Sequence, residues 1–447
     1  GVRYITRSDN KGFKAGNLRN AMEQTGGDFI VICDADTRVF PSFLENTLGY
    51  FRDPEVAWVQ TPQWFFDLPE GTRLPDFLAR LPGGRYAAAC GRALEKVVGP
   101  ITWGEDPFAN DPQLFYDVIQ RRRNAHNASF CCGAGSVHRR DAVMRVALKA
   151  YVAGVKKKAR NLADAVDDPR ARREVAHGLE RLVAAETELT PYRFHVSEDL
   201  YTSIYLHGDR DSSWRSVFHP QVESKMLSPQ DLQSWTVQRF KYAGGTLDIA
   251  FRDNPLFRSG LSLAQRLLYG ATFWAYLGAL WNIVFLTAPI VYLLTGIAPV
   301  SAYTAEFFLH ILPFLVLNEL AMMVGTWGIS GYKGKVTYLA FFPVNLRALW
   351  TAIRGKPIKF PTTPKTRQEG SFFHLVVPQA AVIVLTLAGL VFAATHYSLG
   401  YRTFELSGII ANAVWGITNC LAMWRLVQSA FWKPQPEPTS NLTEALA

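Results

Sequence analysis

The second half of this chain contains apolar stretches long enough to cross a bilayer, and that limits its architecture more than any other feature. Residues 268–294, 305–327, 373–396 and 406–431 each approach the roughly 20 residues that a membrane-crossing helix needs. His310 and Glu319 interrupt the second stretch, and polar groups at such depth are either satisfied structurally or line a pathway. Mean hydropathy over the whole chain is only +0.02, so the first half must be polar enough to offset the second. The sequence reads as a soluble half followed by a membrane half.

The charges suggest an orientation. The loop 328–371 carries Lys333, Lys335, Arg347, Arg354, Lys356, Lys359, Lys365 and Arg367, whereas the connections near 295–304 and 397–405 carry only Arg402 and Glu405. The positive-inside rule puts the basic loop in the cytoplasm. Two spans separate it from the soluble half, so both are expected on the same side. Within the loop, 336–353 is apolar and aromatic but short, which predicts an interfacial helix. The formal net charge of +9 is spread over these loops and a helical stretch near 145–181. It forms no single stripe, so no nucleic-acid partner is expected. The five cysteines include the adjacent Cys131 and Cys132 and show no zinc spacing, which fits a reducing compartment. The first residue is Gly1 rather than Met and Val2–Thr6 reads as a strand, so a domain is expected to begin upstream.

The soluble half has α/β punctuation. A glycine-marked turn precedes a helix from Lys14 to Met22. Phe29–Cys33 has the composition of a buried parallel strand, and Asp34-Ala35-Asp36 follows at its carboxyl end, the edge where open α/β sheets bind ligands. A helix is expected over 41–51, a strand over 56–61, and another apolar, glycine-containing segment over 130–137. Residues 141–189, interrupted by Pro169, predict two helices forming a surface hairpin.

Each candidate group has a functional and an ordinary reading. Asp34 and Asp36 offer hard oxygen ligands suited to Mg²⁺ or Mn²⁺; such pairs are also common turn residues. Ser197-Glu198-Asp199 supplies a general base in Asp199, and equally a helix N-cap with first-turn acids. Gln238-Arg239-Phe240-Lys241-Tyr242 offers cations for a diphosphate and an aromatic face for a sugar, or a basic amphipathic helix beside a membrane. Lys14 meets phosphate at a helix start or is a surface lysine. Cys132 and Gly133 lie in a small-residue turn that allows close approach of a sugar, or only packing. Trp64, with Phe65 and Phe66, forms a sugar platform or part of the core.

In their order, these residues resemble bacterial cellulose synthase catalytic subunits and related processive family-2 β-glycosyltransferases, over nearly the whole chain. Phe13–Leu18 is similar to the family's lysine-containing nucleotide-binding segment, Asp34-Ala35-Asp36 to its DxD and Gln60–Phe66 to its QTPxxF. Phe130–Gly133 is similar to its FCGS turn, Ser197–Asp199 to TED, Gln238–Tyr242 to QxxRW and Phe360–Thr366 to its FxVTxKG gating loop. The resemblance implies an N-terminally incomplete GT-A-type α/β domain followed by an α-helical transmembrane region. The expected layout is a cytoplasmic domain over 1–258 with a helical insertion at 142–191, a channel region over 259–432 with a gating loop at 355–370, and a tail over 433–447.

It further implies an inverting, metal-dependent transfer from UDP-glucose to a β-glucan, which would pass through the bacterial inner membrane, with accessory export subunits as possible partners. Asp199, with Glu198 and Ser197, would be catalytic. Lys14, Asp34, Asp36, Gln238, Arg239 and Lys241 would bind the donor, and Asp34 and Asp36 the metal. Tyr242, Trp64, Cys132 and Gly133 would meet the acceptor, and Thr362, Thr363 and Lys365 would gate.

Several features depart from the family pattern. Its uridine-binding aspartate and early membrane helices would lie upstream of Gly1. Ser197 replaces Thr, and Lys241-Tyr242 replaces Arg-Trp, losing the guanidinium fork and some stacking area. That change admits another β-glucan, such as a β-1,3-linked one. No cyclic-di-GMP-binding barrel occurs in this sequence, so control by that nucleotide is not carried over. A non-processive transferase to a lipid carrier, which would not need the pentad or the gating loop, is the alternative enzyme. A scaffold without activity would have no reason to keep both Asp34 and Asp199.

Overall fold

The computed structural model describes residues 2–432 apart from 69–70, 99, 104–105, 109, 299–304, 327–328, 330 and 359–369. The chain divides into two compact units. The first comprises 1–64, 119–226 and 245–273; the second comprises 65–118, 227–244 and 274–447.

The first unit is built on a mixed sheet of β1 (Phe29–Ile32), β2 (Val56–Gln60), β3 (Ser136–Arg139) and β4 (Arg215–Phe218), in the order β1-β3-β2-β4. β2 is buried at every position. It pairs antiparallel with β3 and parallel with β4. Trp58, fully buried, packs with Ala57, Cys131, Ala142, Val146, Leu206 and Trp214, while Phe43, Phe51, Val56, Val59 and Val137 form a second cluster.

Two sequence expectations are corrected here. Val2–Thr6 forms no strand. Phe29–Ile32 is a strand, but an exposed edge strand running antiparallel to β3, with Phe29 opposite Arg139 and Ile32 opposite Ser136. Its apolar run misled because composition carries no information on strand direction or on position in the sheet. Phe29 and Val31 are in fact 39% and 43% exposed.

Helices frame the sheet. α1 (Phe13–Glu23) starts after Gly12, whose φ of +75° suits glycine; a Cβ there would also lie 2.7 Å from the Phe194 ring. α2 (Arg140–Ala163) and α3 (Pro169–Glu186) form a hairpin closed by Val155, Ala159 and Val183. Pro169 opens α3 instead of breaking it, and Asp168 caps it by accepting from the Ala171 N–H at 2.8 Å. The base of α2 belongs to the unit's core through Ala142, Val143 and Val146. α4 (Glu198–His207) carries the acidic motif in its first turn. α5 (Leu232–Arg252) contributes its last turns, from Gly245, to this unit.

α6 (Leu263–Leu277), α7 (Ala279–Thr295), α8 (Ala305–Gly325), α9 (Tyr332–Ala340), α10 (Phe342–Ile353), α11 (Val377–Ser398) and α12 (Leu406–Ser429) follow. The described residues contain four helical segments long and apolar enough to cross a membrane: Leu263–Thr295, Glu306–Gly325, Phe373–Ser398 and Leu406–Ser429. The expected single interfacial helix over 336–353 is instead the pair α9 and α10, bent by 53°. Pro343, at the start of α10, has no N–H to continue the ladder from α9.

Within the second unit, small residues let helices approach closely, as expected where apolar solvent gives helices no hydrophobic reason to associate. A Cβ on Gly408 of α12 would lie 2.0 Å from the Tyr292 hydroxyl of α7. Amide side chains tie helices to carbonyls: Asn282 donates to Tyr338 at 2.8 Å and Gln379 to Ala340 at 2.8 Å. His310 and Glu319 of α8 also have partners. His310 bonds the Glu306 carbonyl at 2.7 Å, and Glu319 pairs with Lys335 of α9.

Candidate active site

Three short segments of the first unit converge on one turn. The first turn of α1 presents Lys14, whose Nζ lies 2.5 Å from Asp34 Oδ1 in the turn after β1. That turn is closed by the Thr37 N–H donating to the Asp34 carbonyl at 2.9 Å and the Asp34 N–H to the Thr37 hydroxyl at 3.1 Å. Asp36 lies two residues further on.

The second segment is the turn 131–135, which precedes β3. Gly133 and Gly135 have φ of +89° and +69°, a region that disfavours side chains. Gln60 and Gln63 hold this turn from below. Gln60 accepts from the Cys132 N–H at 2.7 Å and donates to the Ala134 carbonyl at 3.0 Å; Gln63 donates to the Cys132 and Ala134 carbonyls at 2.8 Å each.

The third is the first turn of α4, with Ser197 at the N-cap position, although its hydroxyl makes no capping bond. The Ser203 hydroxyl donates to the Asp199 carbonyl at 2.8 Å and accepts from the Cys131 N–H at 2.9 Å, joining α4 to the turn.

Gly133 marks where these segments meet. A Cβ built there would lie 3.3 Å from Lys14 Nζ and 3.6 Å from Asp199 Oδ2. Lys14, Cys131, Gly133, His138, Glu198 and Asp199 line one narrow pocket. Burial works against the Lys14 ammonium, but Asp34, Glu198 and Asp199 outweigh it and hold its pKa above the ordinary lysine value. Lys14 therefore stays charged at neutral pH. Burial, reinforced by Asp199, pushes the Cys131 thiol up to about 12. Burial, reinforced by Lys14, pushes His138 down to about 3. Cys131 and His138, 3.4 Å apart, are thus a neutral structural pair and not a nucleophile with its base.

One ammonium stands among the carboxylates of Asp34, Glu198 and Asp199. An anionic diphosphate needs more positive charge than this. The oxygen donors of Asp34 and Asp36 suit a hard divalent cation shared with substrate phosphates, which typically takes only one or two protein carboxylates. The described residues include no group of three or more His, Cys, Asp or Glu side chains placed to hold a metal ion.

The pentad falls in the second unit, on α5. Arg239 donates to Asn110 and lies 5.6 Å from the Trp235 ring, 5.8 Å from Tyr242 and 5.6 Å from Phe341. Gln238 and Lys241 are partly exposed, and Tyr242 is 42% exposed. In the first unit, Trp64 is half-buried, and Cys132 Sγ accepts from the Gln120 amide at 3.2 Å. Thr362, Thr363 and Lys365 lie outside the described residues.

Comparison with known proteins shows the family. Residues 1–146 match the family described as Glycosyl transferase family 2, and residues 97–324, more than half of the chain, match Glycosyl transferase family group 2. The chain belongs to glycosyl transferase family group 2.

Among its relatives is a cellulose synthase catalytic subunit (UDP-forming) of Pseudomonas fluorescens (strain SBW25), 27% identical over 72% of this chain and 34% of that protein. Cellulose synthase 2 of Novacetimonas hansenii is 26% identical over 99% of this chain and 24% of its own length. Cellulose synthase 1 catalytic subunit (UDP-forming) of Komagataeibacter xylinus is 24% identical over 96% of this chain and 49% of its own length. The chain thus spans between about a quarter and a half of these relatives.

Sequence reasoning missed several groups in this glycosyltransferase. Gln60 and Gln63 stand in the sequence only as part of a motif, yet they cradle the glycine turn. Ser203 carried one signal, its position four residues after Asp199 on the same helix face. His138 carried none, since its neighbours Cys131 and Ser136 become significant only once the turn is folded.

Proposed function

We propose that the full-length protein is a membrane-embedded, inverting, UDP-forming transferase that extends a β-glucan with glucose from UDP-glucose and passes the polymer across the bacterial inner membrane. Cellulose is the leading product. The observation that carries this reading is the approach of Lys14 and Asp199 to one point beside Gly133, with Asp34 bound to the same lysine. The names of the relatives support the choice of donor and polymer, and the apolar helices support the membrane setting.

Asp199 takes the proton of the acceptor hydroxyl as its oxygen attacks the anomeric carbon. The bond from that carbon to the diphosphate breaks on the opposite face, and UDP departs with the electron pair. Lys14 binds the departing diphosphate and offsets its charge. A divalent cation held by Asp34 and Asp36, Mg²⁺ or Mn²⁺, would supply further charge neutralisation there. Glu198 and Ser197 set the start of the helix that carries Asp199. Following the family resemblance, Gln238, Arg239 and Lys241 contribute to donor binding, and Tyr242, Trp64, Cys132 and Gly133 to acceptor binding. Thr362, Thr363 and Lys365 gate the site. The domain over 1–258 would be cytoplasmic and the region over 259–432 would form the channel, with 142–191 inserted and accessory subunits assisting export.

Lys241-Tyr242, in place of Arg-Trp, favours a second reading in which the product is β-1,3-linked. Polymer made from UDP-glucose by vesicles carrying the full-length protein distinguishes the two. Digestion by a β-1,4-specific glucanase supports cellulose, and digestion only by a β-1,3-specific one supports the second. Labelling of a lipid without any polymer overturns the processive reading.

A further inference from the structure

The segment leading into α4 rests on α5 through a histidine outside every motif. His195 lies two residues before Ser197 and is nearly buried, with its side chain 14% exposed. Its Nε2 is 3.1 Å from Asp248 Oδ2, and its Nδ1 is 3.1 Å from the backbone N of Ser197. An N–H can only donate, so Nδ1 must be the acceptor and the proton must sit on Nε2, facing Asp248. Asp248 is held in turn by Arg252, whose Nε lies 2.7 Å from Oδ1. Burial pushes the Asp248 carboxyl up, but the His195 hydrogen bond and the Arg252 charge outweigh it and keep it below the usual carboxylate range. The Tyr201 ring stands edge-on to the imidazole at 5.3 Å. One turn before Asp248, Gly245 presses against the same segment: a Cβ there would lie 2.1 Å from the Ser197 hydroxyl. Gly245 and Asp248 therefore clamp residues 195–197 from one face of α5.

We propose that His195 and Asp248 are positioning residues for Asp199: Asp248 fixes the Nε2–H tautomer of His195, and the free Nδ1 anchors the Ser197 N–H at the start of the helix bearing the base. The Ser197 hydroxyl makes no capping bond; the imidazole instead holds the backbone of the N-cap residue itself, through the Ser197 N–H. This inference rests on the role proposed for Asp199.

The arrangement makes Asp248→Asn informative. Arg252 retains the amide oxygen, so the amide NH₂ faces His195 Nε2. The imidazole then moves its proton to Nδ1, where it opposes the Ser197 N–H. Asp248→Asn is expected to lower kcat by roughly tenfold or more, the scale seen for outer-shell partners elsewhere, with the KM for the sugar nucleotide unchanged. In His195→Asn the side-chain oxygen takes the place of Nδ1 as acceptor, and residue 195 no longer donates to residue 248, which keeps its bond from Arg252. Activity should be largely retained, and adding Asp248→Asn should then have no further effect. His195→Gln, which reaches Asp248 but not the Ser197 N–H, should be as impaired as Asp248→Asn.

The measurement is steady-state kinetics of the full-length protein in vesicles for the four single and double variants, with melting temperatures to confirm folding. Wild-type kcat in Asp248→Asn, or an equal loss from that substitution in the His195→Asn background, overturns the proposal. If the wild type is active and Asp199→Asn inactive, either result counts against the positioning alone. Wild-type protein inactive with every UDP-sugar overturns the functional reading on which the proposal rests.

Discussion

Gly133 stands where the lysine and the candidate base of the site meet. Its φ of +89° disfavours any side chain by about 1–2 kcal/mol, and a methyl group there would intrude between Lys14 and Asp199. Gly133→Ala is expected to reduce turnover by about 100-fold, the cost of an ångström-scale misplacement, far more than its lowering of the melting temperature by roughly 2–8 °C would account for. Turnover measured against the folded fraction tests this.

His138 makes a separate prediction about pH. Its pKa falls from 6.5 to about 3 on folding, so the unfolded chain binds its proton more readily than the native protein does. The stability this contributes is complete above about pH 6.5 and is lost as pH falls toward 3. His207, also driven down to about 3 by burial and then by Arg123, behaves in the same way. His138→Gln should therefore flatten, without abolishing, the fall in urea midpoint between about pH 7 and pH 4. An unchanged slope would show that His138 does not titrate across unfolding. At this scale, legibility depended on distance along the chain. Asp34 and Asp199 stood at the ends of local elements and could be found. The bond from Gln60 to Cys132 joins residues 72 positions apart and had no local signature.

At the scale of elements, the α2–α3 hairpin has a core end and a free end. Val146 lies in the main cluster beside Trp58, whereas Val155 packs only within the hairpin cluster. Val146→Asp buries a carboxylate without a partner and is expected to prevent stable folding of the first unit. Val155→Asp should open the hairpin alone and leave transfer within about twofold of wild type, since its buried contacts are confined to the hairpin cluster. Limited proteolysis within 150–186, compared with activity, separates the two outcomes. Both helices were legible from composition and from Pro169. The direction of β1 was not, because an apolar run has no directional signal and the partner, β3, lies about a hundred residues away. The break between α9 and α10 was present in the sequence as Pro343, but the surrounding apolar residues made 336–353 look continuous.

At the scale of the molecule, one chain combines an α/β unit carrying the candidate chemistry with helices long and apolar enough for a membrane. Close helix crossings in the second unit predict that bulk is poorly tolerated at Gly408. Gly408→Leu should clash with Tyr292 and cost about 1–3 kcal/mol or more, the usual range for overpacking. Reduced recovery of folded protein from membranes, measured by detergent-extracted melting curves, would show it. The division into a polar and an apolar half was legible from hydropathy alone. The clustering of Lys14, Asp34, Gly133 and Asp199 was legible only as an order of motifs, because no single segment contains the site.

The most direct test uses the full-length protein in membrane vesicles with labelled UDP-glucose and Mg²⁺ or Mn²⁺, comparing wild type with Asp199→Asn. The account predicts glucan from the wild type, none from Asp199→Asn, and UDP binding by both, since the base is separate from the groups that hold the diphosphate. Polymer formed by Asp199→Asn at the wild-type rate would contradict it.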